Sequence, residues 1–269
     1  MKHIAGYLFT IALFGCGGKS DGEEPSKAVE QNKAITQDVS TNSDQAMLEI
    51  PINQNLATYK VALIGNSHTY GVTNTLKQVV AAYSPQSVIE LKVLGSGYTD
   101  DLIKNEKIID ELKTGNWSHL IIQGQKYSQS GSYNYSTEAT ENFISLSKSL
   151  DIMPILFPEH PQKGNKAEGE MVYNLHSKIS KRESSCVAPI GLAWNKATEQ
   201  LGENLFYSSD GNHAGPYGFM TTSLILTEII TGEVVDTDLA RISEAVPNDI
   251  QSQLAQIASQ TLSEFPPCK

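Results

Sequence analysis

The sequence predicts an α/β fold: a three-layer α/β/α sandwich around a five-stranded parallel sheet. Beyond residue 57, strand-like and helix-like segments alternate along the chain, which is typical of βαβ units. The first strand ends in four consecutive apolar residues, 61–64, as expected of a strand covered on both faces. The length of 269 residues suits one sizeable domain.

The individual elements follow from apolar patterns and capping residues. The predicted strands are 59–64, 87–94, 118–122, 153–157 and 186–192. The predicted helices are 68–83, 100–113, 136–150, 168–182, 215–231 and 247–265. Apolar residues close to helical spacing support the second helix, and Ser136 and Thr137 are candidate caps of the third. Because ligands bind such sheets at the carboxyl ends of the strands, we expect the functional residues there.

The composition excludes several classes of function. Acidic residues outnumber Lys plus Arg by 30 to 20, which gives a net charge of -10 and a pI near 5.1. Nucleic acid and anionic membrane surfaces attract a basic face, so we expect no nucleic-acid partner. No apolar run reaches the roughly 20 residues that span a bilayer, which argues against a polytopic membrane protein. Without a zinc-spaced Cys/His cluster, a Walker loop or a dinucleotide motif, we expect neither a metal nor another cofactor.

The N-terminus has the pattern of an export signal. A positive start, Met-Lys-His, precedes an apolar stretch over 4–14 and then Gly15 and Cys16. The ending Leu-Phe-Gly-Cys resembles the bacterial lipobox, which implies cleavage before Cys16 and acylation of its thiol. Several acyl chains on one residue give stable membrane anchoring. An ordinary cleaved signal with a chance cysteine is the alternative.

The segment after Cys16 predicts a flexible connection. Residues 17–57 contain no aromatic residue and are rich in polar and charged ones, so they cannot bury enough apolar surface to offset the entropy of ordering. We expect a signal peptide over 1–15, a tether over 16–57 and a folded domain over 58–269. The expected location is outside the cytoplasm on a lipid anchor. An Asp at position 17 would favour retention in the inner membrane. Because Gly17 stands there instead, we expect the outer membrane of a Gram-negative bacterium.

Ser67 is a candidate nucleophile. It stands in the block Gly-Asn-Ser-His directly after the first strand, at the predicted carboxyl edge of the sheet. The start of the following helix supplies main-chain N–H groups that suit a tetrahedral intermediate. The block is not the Gly-x-Ser-x-Gly elbow of the α/β-hydrolases. The alternative is that Ser67 only caps the helix over 68–83.

Asp210 and His213 are candidate partners of that serine. They lie three residues apart in a loop before the helix over 215–231. His213 could deprotonate Ser67, and Asp210 could orient the imidazolium. The order Ser, Asp, His along the chain is a permitted triad order. A loop pair without a task is the alternative.

Together these blocks resemble the SGNH/GDSL hydrolase superfamily over roughly 58–232. The resemblance implies a flavodoxin-like form of the predicted fold, with Ser67 as nucleophile and Asp210 and His213 as the Asp-x-x-His pair. The family's second block has a Gly after the second strand, which the run 95–99 matches. Gly97 is therefore the implied oxyanion donor through its N–H, beside that of Ser67.

The third block departs from the family pattern. It usually reads Gly-x-Asn-Asp, with the Asn completing the oxyanion hole, whereas strand three here is followed by Gln123, Gly124 and Gln125. A register match favours Gln125. Carbohydrate-acetylesterase branches carry a similar Gln-Gly run whose first Gln has this role, which favours Gln123. A Gln amide can donate the same bond from one methylene further away.

Two cysteines remain if Cys16 is lipidated. In an exported domain, Cys186 and Cys268 favour one disulfide that ties the final helix to the fifth strand. Two free thiols are the alternative.

The sequence thus predicts a serine esterase that forms an acyl-enzyme on Ser67. The Gln-Gly resemblance implies a short acyl group, acetyl, on a carbohydrate or a related small-molecule alcohol. Two alternatives stay open: a non-catalytic glycan-binding envelope lipoprotein on the same fold, and an O-acyltransferase. The oligomeric state stays open as well.

Overall fold

The computed structural model describes residues 48–236 and 242–268. Within them lies a five-stranded sheet in the order β2-β1-β3-β4-β5, and every neighbouring pair of strands is parallel. The strands are β1 Thr58–Gly65, β2 Val88–Ser96, β3 His119–Ile122, β4 Met153–Leu156 and β5 Cys186–Val187. This order is the flavodoxin-like one, and the predicted fold class is confirmed. The predicted signal peptide, Cys16 and the tether up to residue 47 lie outside the described residues.

Helices cover both faces of the sheet. In chain order they are α1 Val72–Tyr83, α2 Thr99–Leu102, α3 Glu106–Thr114, α4 Glu138–Ser149, α5 Lys166–Arg182, α6 Ile190–Leu201, α7 Pro216–Thr231 and α8 Asn248–Glu264. Alternate residues of β1 point to opposite sides. Val61 and Leu63 face the core formed with α1, α6, α7 and α8, while Ala62 and Ile64 face the core formed with α2 to α5.

The fifth strand is shorter than the sequence predicts, and the helix that replaces its end was missed. The prediction extended the strand to residue 192, whereas β5 ends at Val187 and α6 begins at Ile190 after Pro189. Buried residues at Ile190, Ala193 and Ala197 give this segment helical periodicity, but its apolar start reads equally well as a strand. Proline is also favourable just at a helix start.

The predicted helix over 100–113 is two helices. α2 ends at Leu102, and α3 begins at Glu106. Asn105 separates them because its side-chain oxygen accepts a hydrogen bond from Lys107 N, so that it caps the second helix.

The segment 48–57, predicted as the end of the tether, packs against the folded domain instead. Asn53 Nδ2 donates hydrogen bonds of 2.8 Å to the main-chain carbonyls of Ser118 and Asp151. Lys148 Nζ, whose side chain is fully buried, donates to Leu48 O at 2.9 Å. Hydrogen bonds from a side-chain amide and a buried ammonium hold this segment in place. The prediction of a tether relied on the lack of aromatic residues, and that criterion does not detect polar contacts of this kind.

A disulfide joins Cys186 in β5 to Cys268, which follows α8. Beside it, Val187 N donates to Pro267 O at 2.8 Å, so the chain end runs along the outer edge of β5. Among the helices of the described residues, none is both long and apolar enough to cross a membrane.

Candidate active site

The candidate site lies at the carboxyl edge of the sheet, as the sequence predicts for a ligand site in this fold. The turns after β1, β2, β3 and β4 meet there with the loop 207–214 that precedes α7. They surround an open cavity of about 850 Å³. Hydroxyl, amide and phenol groups dominate its lining, among them Ser67, Tyr98, Gln129, Gln162 and Asn212.

The structure brings Ser67, His213 and Asp210 together in one hydrogen-bonded chain. Ser67 Oγ lies 2.7 Å from His213 Nε2, and His213 Nδ1 lies 2.6 Å from Asp210 Oδ2. A carboxylate can only accept, so Nδ1 carries the ring proton and Nε2 is left to accept the proton of the serine hydroxyl. This is the arrangement in which a histidine can serve as general base to a serine nucleophile.

The Asp210 carboxylate is held by more than the histidine ring. Its Oδ1 accepts from Ser208 Oγ at 2.6 Å and from the main-chain N–H groups of Asn212 and His213 at 2.9 Å each. The side-chain hydrogen bond from His213, followed by that from Ser208 and the main-chain bonds, lowers the pKa of Asp210 below its usual range. Asp210 therefore stays ionised and keeps the ring in one tautomer.

Ser67 occupies a single 3-10 turn, Ser67–Thr69, and does not cap α1. Asn66 caps this 3-10 turn, because its Oδ1 accepts from His68 N at 3.0 Å. α1 itself begins only at Val72. The alternative of a capping role for Ser67 is thereby removed, and its exposed side chain faces the cavity.

Gln123 supports the turn that carries Ser67. Its Oε1 accepts from Asn66 N at 2.6 Å, and its Nε2 donates to Glu159 Oε2 at 2.7 Å. A main-chain donor on one side and a carboxylate on the other fix the orientation of the amide. Gly65 allows this approach, since a Cβ there would lie only 2.5 Å from Gln123 Oε1. One hydrogen of Nε2 stays unused by these contacts.

The side-chain amide of Gln125 is fully hydrogen-bonded to other groups, so Gln125 is not the oxyanion donor. Both of its amide hydrogens are donated to main-chain carbonyls, Lys126 O at 2.8 Å and Ser136 O at 3.1 Å. Its Oε1 accepts from Thr140 Oγ1 at 2.7 Å. The side chain therefore ties the loop after β3 to α4. Gly124 lets the two glutamine side chains diverge, because its φ of 98° lies outside the extended conformation of a strand.

The N–H of Gly97 is not free to act as the predicted oxyanion donor. Its N–H donates to Gly65 O at 2.8 Å, just beyond the last paired residues of β1 and β2. A shift in the register of this pair between Leu63 and Ile64 sets that contact, and no sequence pattern reveals such a shift. Of the predicted donors, the Ser67 N–H and the second hydrogen of Gln123 Nε2 are left.

Two further histidines surround His213. His68 stacks on its ring with centroids 5.2 Å apart, and burial lowers the pKa of His68.

His160 stacks on Trp194 at 3.9 Å and binds Asn212 O through Nε2 at 2.9 Å. Burial lowers the pKa of His160 to about 3, so it is a neutral donor that positions the loop of Asp210 and His213.

The sequence did not single out two carboxylates of this region, Glu159 and Glu168. Glu159 follows β4 and lines the cavity beside Gln123, so the rule of strand carboxyl ends could have found it. Glu168 is 2% exposed; its Oε1 accepts from Tyr127 Oη and Gln129 Nε2, both at 2.9 Å. Burial and the two carboxylates raise the pKa of Tyr127. Glu168 thus anchors the loop after β3, a task that only the folded chain shows.

Among the described residues, no group of three or more His, Cys, Asp or Glu side chains is arranged to hold a metal ion.

Comparison with known proteins identifies the fold. No protein-family model matches the chain, and no curated protein sequence matches it. A DUF4886 family protein from Bacteroides uniformis superimposes with a TM-score of 0.58 at 16% identity, over 78% of this chain and 96% of that one. A candidate SGNH hydrolase from Slackia heliotrinireducens gives 0.52 at 13% identity, over 64% and 99%. An acetylxylan esterase from Geobacillus stearothermophilus gives 0.50 at 17% identity, over 67% and 96%. The chain therefore has the fold of SGNH-hydrolase-like proteins.

Proposed function

We propose that the protein is a serine esterase that works through an acyl-enzyme on Ser67. The observation that carries the proposal is the hydrogen-bonded chain from Ser67 through His213 to Asp210 at the edge of an open cavity. A purely structural loop has no need of a serine hydroxyl aimed at the free nitrogen of an oriented imidazole.

In this mechanism, Ser67 Oγ attacks the ester carbonyl while its proton passes to His213 Nε2. Asp210 stabilises the imidazolium that results. The Ser67 N–H and the second hydrogen of Gln123 Nε2 are the proposed donors to the oxyanion. His213 returns the proton to the departing alcohol, which leaves the acyl group on Ser67. A water molecule, deprotonated by the same nitrogen, then releases the acid and restores the enzyme.

The proposed substrate is an acetyl ester of a carbohydrate. The cavity presents hydroxyl and amide groups beside Ser67, and such groups match a polyhydroxyl alcohol better than a lipid chain. The acetylxylan esterase of similar fold acts on a substrate of this kind, which adds support.

Hydrolysis of p-nitrophenyl acetate by the purified domain tests the reaction. Ser67→Ala and His213→Ala should each lower kcat by roughly 10,000-fold, because the triad acts as a unit. Ser130→Ala removes another serine of the cavity lining and is the matched control. Equal rates for the domain and Ser67→Ala would support the non-catalytic glycan-binding alternative.

The same assay separates hydrolysis from transfer. Adding a sugar acceptor and measuring both free acetate and acetylated sugar shows where the acyl group goes. Acetate as the main product supports the esterase, whereas acetylated sugar as the main product supports the O-acyltransferase alternative.

We further propose that Cys16 is lipidated and anchors the domain to the outer membrane through an N-terminal tether. The support is the lipobox-like sequence that ends at Cys16. Cys16→Ser should release the protein from the membrane fraction and remove the acyl mass from the N-terminal peptide. Unchanged fractionation without acyl mass would exclude the anchor.

A further inference from the structure

Beside the catalytic cavity lies a second one of about 370 Å³, and we propose that it binds a further sugar unit of an oligosaccharide whose ester is held at Ser67. The inference deepens the proposed esterase function and rests on it for the position of the ester. On this inference the substrate is a neutral, acetylated oligosaccharide, and not a single acetylated sugar.

The two cavities are adjacent, and on this proposal they act as one groove. Both are lined by Lys126, Tyr127, Ser128 and Tyr135. A chain bound with one unit beside Ser67 can therefore continue along the loop 126–135 without leaving the surface. The combined space is larger than an acetyl group and one sugar require.

An aromatic pair stands along this groove, where Tyr135 lines both cavities and Tyr133 lines the second one. Tyr133 and Tyr135 are 63% and 43% exposed, and their ring centroids lie 4.6 Å apart in an edge-to-face arrangement. Exposed aromatic rings present a large, rigid apolar face that a ligand can cover. The C–H groups on the face of a pyranose ring pack against the negative face of an aromatic ring, so a sugar is a suitable partner.

The polar groups of the second cavity are also those that recognise sugars. Asn134, Asn174 and Ser128 offer amide and hydroxyl groups, which can both donate to and accept from sugar hydroxyls. Of the two cations that line this cavity, Lys126 is paired with Asp100 at 2.7 Å, and Lys178 is exposed to solvent. The amide and hydroxyl groups suit a neutral chain, and the net charge of the protein, -10, opposes the binding of a polyanionic one.

The loop that forms the groove is fixed before a ligand binds. Tyr127 and Gln129 both donate to the buried Glu168, and Gln125 donates to Ser136 O at its far end. A groove held by such contacts does not lose the entropy of ordering a mobile loop on binding, which favours affinity.

Binding to the Ser67→Ala protein tests the second cavity without requiring catalysis. Calorimetric titration compares xylotetraose, cellotetraose and chitotetraose with the corresponding disaccharides. We expect at least one tetrasaccharide to bind about tenfold tighter than its disaccharide. Tyr133→Ala and Tyr135→Ala should each remove about tenfold of that affinity, and Tyr135→Phe should keep it, because the ring face makes the contact. The matched control is Tyr70→Ala, an exposed tyrosine that lines neither cavity.

The outcomes separate this inference from the esterase proposal. Equal affinity for both lengths, or tetrasaccharide binding that survives both tyrosine-to-alanine changes, overturns the subsite even if Ser67 hydrolyses p-nitrophenyl acetate. Tighter binding of an oligogalacturonate than of every neutral tetrasaccharide overturns the neutral class. Length- and tyrosine-dependent binding supports the subsite even if no ester is hydrolysed, and the esterase proposal alone then fails.

Discussion

Gln123 and Gln125 stand two residues apart after β3, yet their amides are bonded in different directions. Gln123 reaches the turn of the nucleophile through Asn66 and meets Glu159 on its other side. Gln125 reaches Ser136, at the other end of the loop. The same side-chain type therefore supports the turn of Ser67 at one position and the loop after β3 at the other.

Exchanging each glutamine for alanine should separate these two tasks. Gln123→Ala leaves Asn66 N–H without its acceptor and lets the Ser67 turn shift, so we expect kcat for p-nitrophenyl acetate to fall by roughly 100-fold. Gln125→Ala removes no contact to that turn, and kcat should fall far less. Steady-state kinetics of both proteins measure the difference. Equal losses of kcat would contradict the assignment.

At the scale of elements, α6 links the core to the loop that carries Asp210 and His213. Trp194 of this helix is fully buried and stacks on His160, which in turn holds Asn212 O. The loop of Asp210 and His213 is thus positioned by the helix that precedes it, through His160, which is 52 residues away from Asn212. The missed helix is therefore part of the support of the site as well as of the core.

The disulfide between Cys186 and Cys268 connects β5 to the segment after α8. It spans 82 residues, and closing so long a loop stabilises the fold by about 4 kcal/mol on the chain-entropy model. We expect Cys268→Ser to lower the free energy of unfolding, measured in urea, by that amount. Reducing the wild-type protein under the same conditions is the matched control and should give a similar loss. A change below about 1 kcal/mol in both would contradict the model.

For the whole molecule, buried neutral histidines make stability depend on pH. Burial lowers the pKa of His119 and of His160 to about 3 and that of His176 to about 4. In the unfolded chain these rings take up protons near pH 6.5. Between about pH 6.5 and 4 the unfolded state therefore binds more protons, and stability falls as pH falls. Glu228, whose pKa is raised by burial, acts in the opposite direction.

Urea unfolding at pH 7 and pH 5 measures this effect. We expect the free energy of unfolding to decrease by up to roughly 5 kcal/mol for the three rings together. His176→Leu removes one of them, buried in α5, and should reduce the pH-dependent loss by about a third while the other two continue to act. A free energy of unfolding that does not decrease between pH 7 and 5 would show that these rings are not buried in neutral form.

The predictability of the site differs among its residues for physical reasons. Ser67, Asp210 and His213 could be located because each stands in a short local block beside a strand or helix end. The sequence left Gln123 and Gln125 as alternative donors and implied Gly97, and the hydrogen bonds of Gln125 and Gly97 remove both of these from the candidates. Their hydrogens are taken by the nearby carbonyls of Ser136 and Gly65, and these bonds depend on a positive φ and on a shift in strand register.

The sequence by itself determined the class of fold, because apolar strands and amphipathic helices alternate along it and each pattern reflects a local period. It also determined which side-chain types meet at the carboxyl edge, since parallel strands bring their ends together whatever the loops do. Only the tertiary structure decided which N–H groups stay free for an oxyanion, how Glu159 and Glu168 are used, and that two cavities lie side by side. These features depend on hydrogen bonds and contacts between residues that are distant in sequence. Such contacts form only when the whole chain packs, so no local pattern in the sequence reveals them.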